Sequence, residues 1–371
     1  MKTLIIIALI FSYSSFAGHS KPELIARYTG MDAFNAPEGM YCFASEPHAT
    51  GDGVYLGCVD EQGYMMIKWD LKKGHKILAR TSEYFSHPKE VEGKVGWYEF
   101  NEVGVQKIYE HKNSFLNQIK PNNLGPAFAQ IDSFIGVKGG QYIYRLQDEN
   151  AKELKIWKRD QSSSSLNLGE NAFIFPPATS LRGELVTKIR KETVNENAPD
   201  SLITWDGLTV KTILQDKDAD PASPIKSFRH QYAYDQGAVA LVVTDTQGEA
   251  MLMIKNGVRS VVARAGVHLK SFDFFSPKMR SGVLVFRGVD FQNRKAVFVF
   301  ENNQLKTLLT QGDVVQTDKG PARVHYQEQD AILYGAPGIG PKGEIYQQAT
   351  LTDIDSPMTL LGIGLIRFNK E

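Results

Sequence analysis

The sequence lacks the features that mark several large classes of protein. Its 42 Lys and Arg are balanced by 42 Asp and Glu, so it has no basic excess with which to neutralise nucleic-acid phosphates. Two cysteines in 371 residues are too few for a disulfide-built scaffold or a four-cysteine zinc site. Beyond residue 17 helical periodicity is essentially missing, and no stretch is apolar for the roughly 20 residues that span a bilayer. We therefore expect an all-β protein with no nucleic-acid partner and no membrane span.

The N-terminus has the pattern of an export signal. Lys2 precedes the apolar run Leu4–Phe11, and small residues stand at Ser15 and Ala17. A positive charge, a short apolar core and small residues before a cleavage point are typical of a secretory signal peptide. The alternative is a membrane helix, for which the apolar run is too short. We expect residues 1–17 to be a signal peptide, residues 18–371 to form a single β-propeller domain for the reasons given below, and the mature protein to be periplasmic or secreted.

Export bears on the two cysteines, because disulfides persist in oxidising compartments. Cys42 and Cys58 lie in two strand-like runs, Met40–Ala44 and Val54–Cys58, separated by a turn-rich loop. If these runs pair as a hairpin centred near residue 50, the two cysteines lie opposite one another, within disulfide reach. We predict a Cys42–Cys58 disulfide, and two buried free thiols are the alternative.

One strand-like segment recurs about every 47 residues, which is the sequence signature of a repeat architecture. The segment begins at Tyr64, Val105, Leu154, Ser201, Ala250, Ala296 and Gly343. In the clearest unit, β-branched and aromatic runs cover 271–276, 283–287, 296–300 and 305–309, with a turn expected at 277–282. Such runs, punctuated by Gly, Asn and Asp, indicate short strands joined in hairpins.

Seven units of four short antiparallel strands predict a β-propeller, an all-β fold in which sheets pack face to face around a ring. A single four-stranded sheet cannot bury both of its faces, whereas neighbours in a ring bury each other's. We expect seven blades; six or eight blades, or a pair of β-sandwiches, are the alternatives. The segment Leu24–Tyr28 resembles the fourth strands, and we predict that it joins the last blade and closes the ring, although Met358–Ile366 competes for that place.

The repeat has a recognisable layout in Val239–Gly266 and again in Val283–Asp313. An apolar strand, a polar turn and a second apolar strand ending near Asn-Gly or Asn-Asn are followed by Ser or Thr with two apolar residues, and then by Ala-Gly or Gly-Asp. This layout resembles the repeat of uncharacterised secreted bacterial β-propeller proteins and is similar to that of TolB-like and YVTN-type propellers. The resemblance implies the architecture, and it implies a scaffold for binding more than a reaction.

Sequence motifs of catalysis and metal binding are missing. The chain has no Gly-x-Ser-x-Gly nucleophile elbow and no Cys/His cluster with metal-ligand spacing. Asp216, Asp218 and Asp220 alternate like a calcium loop, but Pro221 and Ser227 stand where that loop needs Gly and Glu. We expect a solvated turn there, and we predict no catalytic residue, no metal site and no cofactor.

Polar residues in two predicted first strands are the candidate binding residues. First strands line the central channel of a propeller, and pockets of this kind are common ligand sites. Arg229 and His230 lie in one such run, and Arg323 and His325 in another. We expect these four residues and Asp273 to form a polar channel lining; partly exposed strand histidines are the alternative.

The sequence favours an exported, non-enzymatic propeller that binds a protein or a cell-envelope ligand. The repeat architecture and the lack of catalytic motifs support this function. The alternative is a hydrolase or lyase acting on envelope glycans, whose site at the channel would be assembled from different blades and would escape a linear search. Buried carboxyl groups with perturbed pKa values at the channel would favour the enzyme, and an exposed apolar face beside a dry channel would favour binding.

Overall fold

The computed structural model describes residues 19–370 apart from short gaps, and between 130 and 165 it describes only the backbone of the strands. The gaps are 30–31, 43–45, 71, 92, 103, 120–129, 138–140, 148–151, 159–162, 167–172, 181–183, 191–197, 206–207 and 326–331. The predicted signal peptide at 1–17 lies outside the described residues. All the regular secondary structure in the described part is β-strand, so the all-β class is confirmed. Accordingly, no described segment forms a helix long and apolar enough to cross a bilayer.

The strands are numbered in chain order, beginning with β1 (Glu23–Tyr28). The first sheet contains β2 (His48–Thr50), β3 (Gly53–Asp60), β4 (Gly63–Asp70) and β5 (Gly74–Thr81). The second contains β6 (Tyr84–Phe85), β7 (Lys89–Val91), β8 (Lys94–Asn101), β9 (Gly104–Lys112) and β10 (Phe115–Ile119). The third contains β11 (Gln130–Val137), β12 (Gln141–Gln147), β13 (Lys152–Lys158) and β14 (Ser163–Leu166).

The remaining described strands form four more sheets. The fourth contains β15 (Phe173–Ile174), β16 (Ala178–Thr179), β17 (Leu185–Arg190), β18 (Asp200–Trp205) and β19 (Val210–Gln215). The fifth contains β20 (Ser227–Asp235), β21 (Ala238–Asp245), β22 (Gly248–Lys255) and β23 (Val258–Arg264). The sixth contains β24 (Ser271–Phe272), β25 (Lys278–Arg280), β26 (Val283–Val289), β27 (Lys295–Glu301) and β28 (Gln304–Thr310). The seventh contains β29 (Val314–Thr317), β30 (Gly320–Val324), β31 (Leu333–Ile339), β32 (Ile345–Asp353), β33 (Leu360–Phe368) and β1.

The first six sheets are antiparallel and follow chain order from one edge to the other. Six of the seven recurring segments are the third strands of these sheets, as the periodicity predicted. The seventh segment, Gly343–Ala349, instead enters β32, which is the second strand from its edge in the order β31-β32-β33-β1. The predicted place of Leu24–Tyr28 in the last sheet is confirmed, because β1 pairs antiparallel with β33. Met358–Ile366 does not compete with it, since β33 lies one strand further in.

Apolar side chains are buried between consecutive sheets rather than in one central core. Val242 of the fifth sheet and Phe286 of the sixth lie in the same buried cluster. Leu365 of the seventh sheet and Leu56 of the first share another. Val243 of the fifth sheet also shares a buried cluster with Leu202 of the fourth. The fifth sheet therefore buries both faces, which explains why its central strand β21 reads as a nearly continuous apolar run.

The predicted disulfide between Cys42 and Cys58 is confirmed. Tyr41 pairs antiparallel with Val59, which puts the two cysteines opposite each other in the expected register, with their Cα atoms 4.2 Å apart. The loop between the two runs was predicted to be rich in turns. It contains β2, because His48–Thr50 pairs with the same edge of β3 a few residues further along.

The unit 271–309 also needs two corrections. Its strands beginning at 283, 296 and 305 are confirmed as β26, β27 and β28. The run 271–276 is a strand only at Ser271–Phe272, so the first strand is interrupted over 273–277. The segment 277–282 is not a turn throughout, because Lys278–Arg280 forms β25 and pairs with β26.

Candidate ligand cavity

The innermost strand of each sheet in the described part is interrupted near its middle. In the second, fourth and sixth sheets it is split into two short strands that pair with one neighbour, as β24 and β25 both pair with β26. In β11, β20 and β31 the pairing register shifts at the corresponding point. In the first sheet, Tyr41 and β2 share the edge of β3.

Proline occupies the interruption in five sheets, at Pro47, Pro88, Pro176, Pro177, Pro277 and Pro337. Proline has no N–H to donate and so cannot continue a ladder of backbone hydrogen bonds. Carbonyl groups near the interruptions take side-chain donors instead. Lys188 Nζ donates to the carbonyl of Phe228 at 2.8 Å, and an Arg287 nitrogen donates to that of Gly335 at 2.7 Å. Buried backbone groups thereby stay hydrogen-bonded.

The second halves of these strands, together with the residues around them, line a cavity of about 610 Å³. Six sheets contribute described residues: the first, second, fourth, fifth, sixth and seventh. A cavity of this volume falls within the range of small-ligand sites.

One wall of the cavity is charged. Lys278 of β25 forms an ion pair with Glu46, which immediately precedes β2. Arg280, on the same strand, places a guanidinium nitrogen 3.2 Å from the carboxylate of Glu90 in β7. His48 Nε2 lies 3.6 Å from the same carboxylate. The sixth, first and second sheets are therefore joined by charged side chains at the cavity.

A glycine allows the backbones of the seventh and first sheets to approach closely beside the charged wall. A Cβ at Gly338 of β31 would collide with the carbonyl oxygen of Pro47, so only glycine permits this close approach. Arg280 donates to the carbonyl oxygens of Ala49 at 2.8 Å and Ile339 at 3.3 Å. One buried guanidinium thus contacts the first, second and seventh sheets.

The charged wall keeps its carboxylates ionised. Burial alone would raise the pKa of Glu46, but Lys278, Lys89 and His87 hold that pKa well below its usual range. Burial likewise acts to raise the pKa of Glu90, and its interactions with His48 and Arg280 reverse the effect and lower it. General acids need a pKa near the working pH, so these groups are suited to ion pairing rather than to donating protons.

Repulsion between cations also affects the wall. Lys278, followed by burial, lowers the pKa of Lys89 to about 8. Burial lowers the pKa values of His48 and His87, which leaves both imidazoles neutral at pH 7. Among the described residues no three His, Cys, Asp or Glu side chains gather as a metal site would require.

Another part of the cavity lining is largely apolar and aromatic. It consists of residues of the second, fourth and fifth sheets, namely Phe85, Tyr98, Phe100, Pro176, Pro177, Ala178, Thr179, Tyr232 and Tyr234, beside which the fifth sheet also adds His230, Gln231 and Asp235. The cavity therefore offers a charged wall and an apolar wall to one ligand.

Of the five residues expected to line a channel, His230 lines the cavity. Its ring stacks on that of Phe175, with centroids 5.2 Å apart. Its neighbour Arg229 does not line the cavity; it pairs with Glu249 at 2.7 Å and donates to the carbonyl of Asp273 at 2.6 Å. The run that contains both residues does lie in an innermost strand, β20, as expected.

The other three candidates lie outside the cavity. Asp273 is buried against Arg287, with a nitrogen–oxygen distance of 2.9 Å. Arg323 donates to the carbonyl of Gly312 at 2.9 Å, and the backbone N–H of His325 donates to Thr350. The strand β30, which contains Arg323 and ends just before His325, pairs with the end of β32 that is far from the interruption. The structure does not bring the five residues together.

The charged residues of the cavity were missed at the sequence level. They are Glu46, His48, His87, Lys89, Glu90, Asp235, Lys278 and Arg280. A signal for most of them is present, because charged residues or histidines flank the single prolines in Glu46-Pro-His48, His87-Pro-Lys89 and Ser276-Pro-Lys278. A proline recurs at this position in several sheets. Only this recurrence distinguishes these short segments from ordinary proline-containing turns.

The alternating aspartates at 216–220 form a turn, as expected. Asp216 Oδ1 accepts the backbone N–H groups of Asp218 and Ala219 at 3.1 and 2.9 Å. Asp220 accepts that of Ala222 at 3.0 Å. Carboxylate oxygens that would ligate a calcium ion are thus used within the turn.

Comparison with known proteins shows the fold. No family model and no curated protein matches the sequence. The β-propeller domain of the Trilobed protease from Pyrococcus furiosus is similar over 89% of this chain and 96% of that one, with 10% identity and a TM-score of 0.56. The Pyrococcus horikoshii acylaminoacyl peptidase is similar over 83% of this chain at 10% identity and a TM-score of 0.51, and the match covers 51% of the peptidase. TolB from Acinetobacter baumannii is also similar, over 68% of this chain and 59% of TolB, with 11% identity and a TM-score of 0.38. The expected β-propeller fold is confirmed, with TolB and other propeller proteins among its structural neighbours.

Proposed function

We propose that this chain is an exported, non-enzymatic propeller of seven blades that binds a protein segment or a cell-envelope molecule in the cavity. The cavity carries this proposal: it has the volume of a ligand site, and its wall is fixed by ion pairs between sheets. A site on rigid strands is preorganised, so little entropy is lost when a ligand binds.

The count of seven blades is supported by the neighbours of each sheet. The described residues form seven sheets, and strands of consecutive sheets contact each other along the whole series. β31 of the last sheet also contacts β2 of the first. A closed series of seven packed sheets is the arrangement expected of a seven-bladed ring.

Export is supported by the disulfide, because such bonds persist in oxidising compartments. The N-terminal sequence pattern supports it independently. Cleavage after Ala17 is part of the proposal and is checked by the mass of the secreted protein.

Binding without catalysis is supported by the directions of the pKa shifts. An enzyme that cleaves glycans uses a carboxyl group whose pKa is raised so that it can donate a proton. The two glutamates of the charged wall do have perturbed pKa values, but the surrounding cations lower them, which is the opposite of what a proton donor needs.

Thermal unfolding of the chain 18–371 tests the function. Envelope glycans, peptidoglycan fragments and short envelope peptides are added in turn, and a ligand at 100 times its dissociation constant is expected to stabilise the fold by about 2.7 kcal/mol. The variant Thr179→Trp fills part of the cavity and should abolish the shift, while Thr212→Trp on exposed β19 should keep it. Equal shifts in both variants would contradict binding in the cavity, and turnover of an added glycan would support the enzyme instead.

A further inference from the structure

The charged wall has more cations than carboxylates to pair them. Lys89, Lys278 and Arg280 stand beside Glu46 and Glu90. Arg280 is held by Glu90 and by two backbone carbonyls, and Lys278 by Glu46. Among the described lining residues, Lys89 therefore shares Glu46 with Lys278 and has no carboxylate of its own.

A third carboxylate lines the cavity but is held by the protein backbone. Asp235 is buried at the end of β20 and accepts the backbone N–H of Ser281 at 2.7 Å. Its position is fixed by the turn between β25 and β26, so it does not supply Lys89 with a mobile counter-charge.

The donors of this wall lie close together along the chain. His87 and Lys89 stand on either side of Pro88, where β7 begins, and both residues line the cavity. His87 is exposed to the cavity, and its neutral ring still carries one N–H. An ammonium group and an imidazole N–H together suit an oxygen anion, for which charge-assisted hydrogen bonds are the strongest.

We propose that the wall formed by His87, Lys89 and Lys278 binds the anionic group of a small ligand, a carboxylate or a phosphate. The apolar and aromatic part of the lining would hold the uncharged part of the same molecule. This inference rests on the proposed binding function and names the ligand chemistry. The repulsion that lowers the pKa of Lys89 supports it, because an anion placed between the two lysines relieves that repulsion.

Pairs of ligands in which only one member carries an anionic group test the inference. Glucuronate, glucose 6-phosphate and N-acetyl-Ala-Ala with a free carboxylate are titrated calorimetrically at pH 7. Their neutral counterparts are glucose, for both sugars, and the amide of N-acetyl-Ala-Ala. At least one anion should bind at least tenfold more tightly than its counterpart. The ligand that binds shows whether the anionic group is a carboxylate or a phosphate. It also shows whether that group is carried by a sugar or by a peptide.

Lysine variants locate the site. Lys89→Gln removes one positive charge, while Glu46 keeps its ion pair with Lys278. The variant should therefore unfold cooperatively at or above the wild-type temperature. It should bind the anion at least tenfold more weakly. Lys211→Gln changes an exposed lysine of β19 and should bind like the wild type. Undiminished binding by Lys89→Gln, or binding of none of the anions at millimolar concentration, would overturn the inference.

The same titrations keep the two proposals apart. A neutral molecule that binds as tightly as its anion, and is lost in Thr179→Trp, would overturn the anion site but leave the cavity as the binding site. An anion that binds equally well to wild type and Thr179→Trp would place the site elsewhere and contradict both.

Discussion

Arg280 and Glu90 meet although their strands belong to the sixth and second sheets, which are not consecutive. The guanidinium nitrogen and the carboxylate oxygen are 3.2 Å apart, and both side chains are nearly buried. Because Arg280 also donates to two carbonyl groups, this one side chain links four of the seven sheets in the described part. The cavity wall is thus a structural link as well as a candidate site.

Arg280→Met should destabilise the protein strongly. It would leave the Glu90 carboxylate without its guanidinium and two backbone carbonyls without a donor, a loss of about 3–5 kcal/mol for a buried pair. Urea unfolding measures the change. Arg294→Met is the matched control, because Arg294 forms an exposed pair with Asp290, and such pairs contribute about 0–1 kcal/mol. Equal losses in the two variants would show that Arg280 does not link the sheets.

Gly338→Ala should also destabilise the protein, because a Cβ there meets the backbone of Pro47 rather than a movable side chain. Overpacking of this kind costs about 1–3 kcal/mol. Gly51→Ala is the control, since nothing lies within 4 Å of a Cβ at Gly51. Urea unfolding of both variants checks the difference, and a neutral Gly338→Ala would mean that the first and seventh sheets are less closely packed at the cavity.

Stability should fall in acid because of the wall carboxylates. The folded pKa of Glu90 lies below its unfolded value of 4.5, so its contribution is present above that pH and is lost as the pH falls through the folded pKa. The difference in unfolding free energy between the wild type and Glu90→Gln should therefore be constant near neutral pH and shrink as the pH falls below 4.5. Glu61→Gln, at an exposed turn, serves as the control and should differ little from the wild type throughout. A difference for Glu90→Gln that stays constant below pH 4.5 would contradict the assignment.

Reduction should cost the protein about 3 kcal/mol, the chain-entropy estimate for a loop of this size. The disulfide links residues separated by 16 positions. Denaturation with and without a reductant measures the loss, and the double variant Cys42→Ala/Cys58→Ala should no longer respond to the reductant. An unchanged midpoint for the reduced wild type would show that β2 and β3 hold this region without the bond.

The sequence predicted the elements whose signal is local. Third strands such as β22 and β27 are long, apolar and followed by turns, so their spacing predicts the repeat. The disulfide register followed from the simple geometry of a hairpin around residue 50. The position of the last recurring segment was predicted wrongly. Gly343–Ala349 keeps the spacing of the third strands, but it enters β32, the second strand of its sheet.

The charged wall of the cavity escaped prediction because its strands β2, β7 and β25 are only three residues long. Lys278–Arg280 and His48–Thr50 follow prolines, and local preference assigns such segments to turns. The residues with which these segments interact are distant in sequence, as the ion pair between Lys278 and Glu46 shows. Arg323 and His325 illustrate the converse: their run looks like a first strand, but β30 joins the far end of β32.

Lysine acetylation followed by mass spectrometry tests the central claim, that the cavity is where a ligand binds. The chain 18–371 is labelled with and without envelope extract, and the rate at each lysine is compared. We expect the extract to slow labelling of Lys89 and Lys278, which line the cavity, while Lys72 and Lys211, which are exposed on other parts of the structure, react at unchanged rates. Protection of Lys72 or Lys211 with no change at the two cavity lysines would contradict the account.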